Sequence, residues 1–295
     1  MHPGEDVQAI PNVQRKSALA MLFKFTKIEH TAFSLPLVIA GCWIGSEGRL
    51  PSLAVLLLVV AAAVGARIFG MSSNRIFDRA LDSRNPRTAS RELPSGQMSV
   101  RMALAVASAG LAIYLAACTA LGGWCLILSP VPLIPLLGYS LLKRFTIFCH
   151  FGIGLCLALA PIGAYVATTN DIRLSTSILF FGVFVFFWLS GADIIYALLD
   201  IQSDVAEGVH SLPAALGPVK ALGISAACEI AACSALAAVC FLMDGGGASA
   251  GALLLSAAAM LMMYLPGIPV PMRFFPISTA AGIAASFVPI LSRLP

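Results

Sequence analysis

The sequence predicts an all-α integral membrane protein, a bundle of about nine transmembrane helices with its N-terminus in the cytoplasm. Three observations predict it. Apolar residues make up 59% of the 295-residue chain and charged residues 11%, where soluble domains carry about 45–50% apolar residues with glycine counted and about 25% charged. The mean hydropathy is +0.92, and no surface in water is covered by so few charges. The apolar residues gather into stretches close to the roughly 20 residues that cross a bilayer as a helix. Lys and Arg, finally, fall almost entirely on one side of those stretches. Soluble domains, disordered chains, coiled coils and disulfide scaffolds are excluded together.

Taken in order, the spans centre on 30–46, 51–71, 99–119, 122–142, 147–168, 174–198, 219–243, 249–265 and 272–293. The eighth is short, and leaving it out gives eight helices. Pro130, Pro132 and Pro135 interrupt the fourth, which a bundle tolerates where neighbouring groups satisfy the freed carbonyls. With the N-terminus inside, fourteen of the eighteen Lys and Arg lie on the cytoplasmic side. They include Arg15, Lys16, Lys24 and Lys27 of the tail, six arginines from Arg75 to Arg101, and Lys143 and Arg144. Only Arg49, Arg173 and Arg293 lie outside, and Arg67 lies within a span. The net charge of +4 is thus a topology signal and gives no support to nucleic-acid binding. No cleavable signal peptide is expected. The eight cysteines form no CxxC pair and read as small apolar packing residues. The chain is expected to be one polytopic domain over 1–295, with a cytoplasmic tail at 1–28 and cytoplasmic loops at 72–98 and 200–218. Those loops hold six of the fourteen acidic residues, four of them in Asp-x-x-x-Asp pairs, so the chemistry is expected there.

The first acidic cluster contains Asn74, Asp78 and Asp82 and is closed by Pro86. At about 100° per residue these three fall at about 0°, 40° and 80°, one face of a helix, and Arg67 returns to about 20°. The second contains Asp193, Tyr196, Asp200 and Asp204. On an unbroken helix Asp200 and Asp204 lie within about 20° of Asp193, one to either side, with Asp193 about 10 Å deeper. A carboxylate inside a span costs several kcal/mol unless paired or wet, and so marks a functional site. A single carboxylate at a helix end is otherwise a solvated cap, but two Asp-x-x-x-Asp pairs at one membrane edge call for cations, because like charges at i and i+4 repel. Four carboxylates offset two Mg²⁺, which typically takes one or two carboxylates plus substrate phosphates. Nearby arginines suit a diphosphate. The residues point to a metal-bridged diphosphate site at the cytoplasmic face.

On these residues the chain resembles the UbiA superfamily of intramembrane aromatic prenyltransferases. The resemblance rests on Asn74, Asp78 and Asp82 as an NxxxDxxxD motif, and on Asp200 and Asp204 as the second DxxxD. The run Asn85–Gly96 and the run Tyr139–Thr146, with Lys143 and Arg144, add to it. Within the family the chain is most similar to the 4-hydroxybenzoate polyprenyltransferases and their futalosine-route menaquinone relatives. It is less similar to the haem-farnesylating branch, where a cysteine usually follows the motif asparagine and this chain has Arg75.

The resemblance implies transfer of a polyprenyl group from its diphosphate to a ring carbon of an aromatic acid, in a multi-pass protein of a bacterial-type inner membrane whose active site faces the cytoplasm. It implies Mg²⁺ held by Asp78, Asp82, Asp200 and Asp204, supported by Asn74. The expected diphosphate ligands are Arg87, Lys143 and Arg144, with positive-inside anchoring as their alternative role. Arg67 binds the acceptor carboxylate or pairs with Asp193, itself a catalytic candidate. Tyr139 and Tyr196 orient the phenol or the prenyl chain, or simply pack. His150 and His210 have no spacing that suggests a ligand and read as bystanders. The expected partners are a polyprenyl diphosphate, an aromatic acid and the bilayer, with no nucleic acid and no obligate protein partner. Two alternatives stand: a naphthoate-type acceptor of the futalosine route, and a transporter with an Asp193–Arg67 relay.

Overall fold

The structure is a computed structural model and describes residues 18–27 and 31–293. Arg15 and Lys16 of the tail, and residue 30 of the first predicted span, lie outside the described residues. Those described are helical, with no strand among them. A short α1 (Ala18–Thr26) and α2 (Thr31–Gly45) lead into α3 (Leu53–Arg84) and α4 (Val100–Leu121). α5 (Gly123–Leu128) and α6 (Pro130–Leu142) form one span interrupted at Ser129, ahead of Pro130. α7 (Cys149–Thr169) and α8 (Thr176–Tyr196) follow, then two short helices, α9 (Ile201–Ala206) and α10 (Leu212–Leu216). α11 (Pro218–Leu242), α12 (Gly247–Met262), α13 (Val270–Met272), a π-helical turn at Arg273–Ile277 and α14 (Ser278–Leu291) complete the bundle.

Seven helical segments among the described residues are long and apolar enough to cross a membrane, and two shorter apolar helices stand where the first and eighth spans were expected. Ser52, Ser99 and Ser175 start three of the seven, each side-chain oxygen accepting an N–H of the first turn, as N-caps do. Outward-facing Ile134, Ile230, Phe241, Leu254 and Leu261 are strongly exposed, which in a chain of this composition is lipid-facing surface. The protein is a multi-pass membrane protein. α8 is its central helix: Phe181, Phe184, Trp188, Ile194 and Ile195 are fully buried, and it packs between α7 and α11. Close approach elsewhere uses glycine. A Cβ at Gly65 of α3 would stand 2.6 Å from the Tyr114 nitrogen and 2.8 Å from the Gly110 oxygen of α4, the small-residue contact that lets membrane helices touch backbone to backbone.

Two departures from the sequence expectation position the site. The stretch from 72 onward, where the sequence suggests a loop, stays helical to Arg84. At 32 residues, α3 is about 48 Å long and overruns a hydrocarbon core of about 30 Å, so its last turns project beyond the apolar layer carrying the first motif. The helix stops at Asn85, ahead of Pro86 as expected. In contrast, α8 does not run unbroken through the second cluster. It ends at Tyr196, passes through a 3-10 turn at Ala197–Leu199, and restarts as α9 with Asp200 as its N-cap residue. The single face proposed for Asp193, Asp200 and Asp204 is therefore not a helical face. Their convergence is tertiary.

Candidate active site

One large cavity, about 1120 Å³, runs through the bundle. Its polar end receives Asn74, Asp78 and Asp82 from α3, and Asp200 and Asp204 from the α8–α9 corner. Arg67, Arg87, Tyr139, Lys143, Asp193 and Tyr196 line it as well. Its other end is apolar, walled by Cys118, Trp124 and Cys125 from α4 and α5, and by Ile162, Gly163 and Leu174 from α7 and the start of the next span. Both predicted aspartate clusters thus line one space, from different elements.

Each motif carboxylate has a donor. Asp78 Oδ2 accepts from Asn74 Nδ2 at 2.8 Å and from Lys143 Nζ at 2.7 Å. Its Oδ1 is buried with no hydrogen-bond partner. Asp82 takes Arg91 Nη1 on both oxygens, at 2.7 and 2.8 Å. Asp200 is gripped bidentately by Arg87, Nε to Oδ1 at 2.9 Å and Nη2 to Oδ2 at 2.5 Å, and Asn85 Nδ2 adds a third bond at 2.8 Å. Arg87 Nη1 also donates to the Tyr196 hydroxyl at 2.9 Å, and its guanidinium lies 5.1 Å from that ring's centre. Burial alone would lower the Arg87 pKa, but the Asp200 and Tyr196 contacts outweigh it and hold the guanidinium above its ordinary value. Asp204 accepts from Ser211 Oγ at 2.7 Å. Burial pushes its carboxyl above the usual range, the Ser211 bond opposes this, and the charge of Asp200 adds to it.

Deeper in the cavity, Asp193 Oδ2 lies 2.8 Å from His150 Nδ1. Tyr196 stacks on Phe274 of the π-helical turn, with ring centres 4.4 Å apart. Arg144 does not line the cavity: it turns back to the Phe77 carbonyl at 2.6 Å, bracing the end of α3. His150, read from the sequence as a bystander, is buried in the cavity wall against Asp193. His210 contributes only backbone, its N–H donating to the Lys143 carbonyl at 2.7 Å.

Sequence reasoning missed Asn85, Arg91 and Ser211 as partners of the aspartates. Arg91 stood in the quoted loop, while Asn85 and Ser211 each lie within two residues of a proline at a helix boundary, the one available signal. It also missed Lys24 and Lys27, which α1 brings to the cavity by seating Phe25 against Leu93, Met98 and Ala103. No three His, Cys, Asp or Glu among the described residues stand close enough to hold a metal by themselves.

The fold and the site together define a polytopic helical membrane protein in which a large cavity joins an acidic and basic end to an apolar arm. The chain belongs to the UbiA prenyltransferase family, whose sequence profile matches residues 34–267. It is 29% identical to the 4-hydroxybenzoate octaprenyltransferase of Aliivibrio fischeri over 192 residues, 64% of this chain and 66% of that protein's length. It is 32% identical to the enzyme of the same description from Blochmanniella pennsylvanica over 171 residues, 58% of each chain. The chain thus spans slightly less than two thirds of these relatives. A UbiA homologue from Aeropyrum pernix, solved in its apo form, superposes with a TM-score of 0.75 at 34% identity, covering 90% of this chain and 96% of that one. A homologue from Archaeoglobus fulgidus, solved with GPP and Mg²⁺, shares the fold with a TM-score of 0.66 at 21% identity, covering 92% and 99%.

Proposed function

We propose that the protein transfers a polyprenyl group from a polyprenyl diphosphate to a ring carbon of an aromatic acid of the 4-hydroxybenzoate type, in a Mg²⁺-dependent reaction of quinone biosynthesis. The observation that carries this reading is the convergence of both aspartate clusters, with Arg87 and Lys143, on the polar end of a cavity whose other end is apolar. That is the shape of a substrate with an anionic head and an isoprenoid tail.

The residues fit Mg²⁺. The donors are all oxygen, as a hard cation prefers. The Asp78 carboxylate keeps a buried oxygen with no hydrogen bond, which a cation would satisfy. Clusters too sparse to close a metal cage alone suit an ion that completes its shell with substrate phosphates. Asp78, Asp82, Asp200 and Asp204 would hold it, supported by Asn74, and it would neutralise charge developing on the leaving diphosphate.

The protein's own groups do the rest. Lys143 and Arg87 neutralise two of the carboxylates and, once a cation takes that role, turn their donors to the diphosphate. Such preorganised donors lower the barrier to breaking the allylic C–O bond. The carbocation that forms is attacked by the ring carbon ortho to the phenol, and that carbon's proton passes to the released diphosphate, which restores the aromatic ring. Arg67 receives the acid's carboxylate, Tyr139 and Asp193 receive the phenol, and Tyr196, stacked on Phe274, walls the cation away from the mouth. The apolar arm excludes water, which would otherwise trap the cation as prenol. The excess of Lys and Arg on the motif side supports an active site facing the cytoplasm of a bacterial-type inner membrane. The names of the relatives favour 4-hydroxybenzoate over a naphthoate-type acceptor.

The test is transfer by purified protein in lipid, with Mg²⁺, 4-hydroxybenzoate and farnesyl or octaprenyl diphosphate, read by mass spectrometry. A prenylated acid that disappears with EDTA, with Asp78→Ala and with Asp200→Ala is expected. Metal-dependent prenol release without product moves the acceptor to another acid, and neither signal from folded protein overturns the reading.

A further inference from the structure

His150 joins three elements at one point. It occupies the first turn of α7, it meets Asp193 near the end of α8, and its second ring nitrogen meets the start of α10. Nδ1 lies 2.8 Å from Asp193 Oδ2, and Leu212 N–H donates to Nε2 at 3.3 Å. Because Nε2 accepts there, the ring proton belongs on Nδ1, and the second bond dictates the tautomer. The imidazole is 3% exposed and the Asp193 side chain 23%. Asp193 therefore faces the cavity, and His150 stands behind it.

The segment that supplies Leu212 also serves the second aspartate pair. Ser211, the N-cap of α10, accepts from Ala214 N–H and donates to Asp204 Oδ2 at 2.7 Å. His210, one residue earlier, donates its N–H to the Lys143 carbonyl at 2.7 Å and receives the Cys149 thiol on its own carbonyl at 3.4 Å. Residues 210–212 are thus fastened along the α6–α7 corner that carries Lys143. Through its other ring nitrogen the His150 imidazole continues this fastening to the Asp193 carboxylate in the cavity. Leu212 seals the joint, fully buried beside Ile194.

We infer that His150 is a positioning residue: it holds the Asp193 carboxylate in register with the Asp204-bearing loop, so that the acceptor end and the diphosphate end of the cavity keep a fixed relation. This rests on the proposed transfer reaction for its consequence, but the hydrogen-bonded chain is a property of the protein without substrate. A group that orients another by one hydrogen bond acts mainly on the geometry of the reacting pair, where small displacements are expensive. Removing it should therefore affect transfer more than donor binding. Gln offers one donor and one acceptor, as the ring does here, and should restore much of what Ala removes.

The experiment has two arms on the full chain in lipid. In the first, ¹⁵N-histidine spectra of the substrate-free protein are recorded, with the His150 signal identified by its loss in His150→Gln. A neutral ring protonated on Nδ1 that responds to Asp193→Asn is expected. An Nε2-protonated ring, or no response to Asp193→Asn, overturns the assignment whatever reaction the protein performs. The second arm compares transfer with prenol release. His150→Ala should lower kcat for transfer by about 10–100-fold, the usual effect of losing an orienting partner. KM for the prenyl diphosphate and the rate of prenol release should stay near the parent's, and His150→Gln should recover much of kcat. An unchanged kcat in His150→Ala overturns the inference. So does an equal fall in transfer and prenol release that Gln does not rescue, which is the behaviour of a merely structural histidine. A parent protein that transfers nothing while the first arm holds refutes the transfer reaction and leaves the positioning chain standing.

Discussion

Replacing Lys143 by Met leaves Asp78 as a buried carboxylate answered only by Asn74. The ammonium stands 2.7 Å from Asp78 Oδ2, with the side chains 25% and 3% exposed. At an effective dielectric constant of about 20, two unit charges at that distance attract by about 6 kcal/mol, and desolvation cancels much of it. Breaking a buried pair from one side typically costs about 3–5 kcal/mol. With Lys143 a quarter exposed, the expected loss of metal-free stability is at the lower end, about 3 kcal/mol. The signature lies in the combination with Asp78→Asn. Removing the carboxylate charge removes the penalty, so Lys143→Met/Asp78→Asn should be more stable than Lys143→Met alone, and the double-mutant cycle should return a coupling of about 2 kcal/mol or more. The assay is unfolding in lipid nanodiscs without metal, followed by Trp fluorescence. Mg²⁺ should restore part of the stability of Lys143→Met, because a cation can answer the same oxygens. Additive losses in the cycle, or a Lys143→Met protein as stable as the parent, would show that this pair does not hold the polar end together.

Three further outcomes follow from the same geometry. Arg87→Lys keeps the charge but loses the fork on Asp200 and the Tyr196 contact, so kcat for transfer should fall about tenfold, about 1.4 kcal/mol; a parent-like rate refutes the role of the fork. Gly163 lines the apolar arm, and a Cβ there would meet nothing within 4 Å. Gly163→Phe should therefore cut octaprenyl relative to geranyl transfer by about tenfold or more, while equal loss of both would show that the tail does not pass this point. The Asp204 carboxyl is held above its ordinary value by burial. The unfolded state therefore loses this proton first, and the metal-free protein becomes less stable as pH rises above about 3.9. Asp204→Asn, which still accepts from Ser211, should melt higher than the parent at neutral pH without Mg²⁺ and lose Mg²⁺-dependent protection; a lower melting temperature contradicts this.

The first motif was legible because its geometry is local. Asn74, Asp78 and Asp82 keep their spacing on a helix that continues from the span, and Pro86 fixes its end. The second motif was legible as residues but not as shape. Nothing between Asp193 and Asp204 is Pro or Gly, so no sequence signal marks the 3-10 turn after Tyr196. That corner is fixed from outside, by Arg87 and Asn85 reaching across to Asp200. His150 was illegible for the same reason. Its partners lie 43 and 62 residues away, and no helical periodicity spans a contact made by three elements. Arg144 was misplaced because adjacency to Lys143 says nothing about direction, and the turn after α6 sends the two side chains apart. The composition, by contrast, was sufficient for the membrane class.

In the proposed reaction both aspartate clusters grip one diphosphate through Mg²⁺ at the polar end of the cavity. Equilibrium binding of radiolabelled farnesyl diphosphate to the protein in nanodiscs, with and without Mg²⁺, tests it most directly. Saturable binding is expected that EDTA abolishes and that Asp78→Ala and Asp200→Ala each weaken severely, one in either cluster. Binding that persists without metal, or that needs only one of the two clusters, would contradict it.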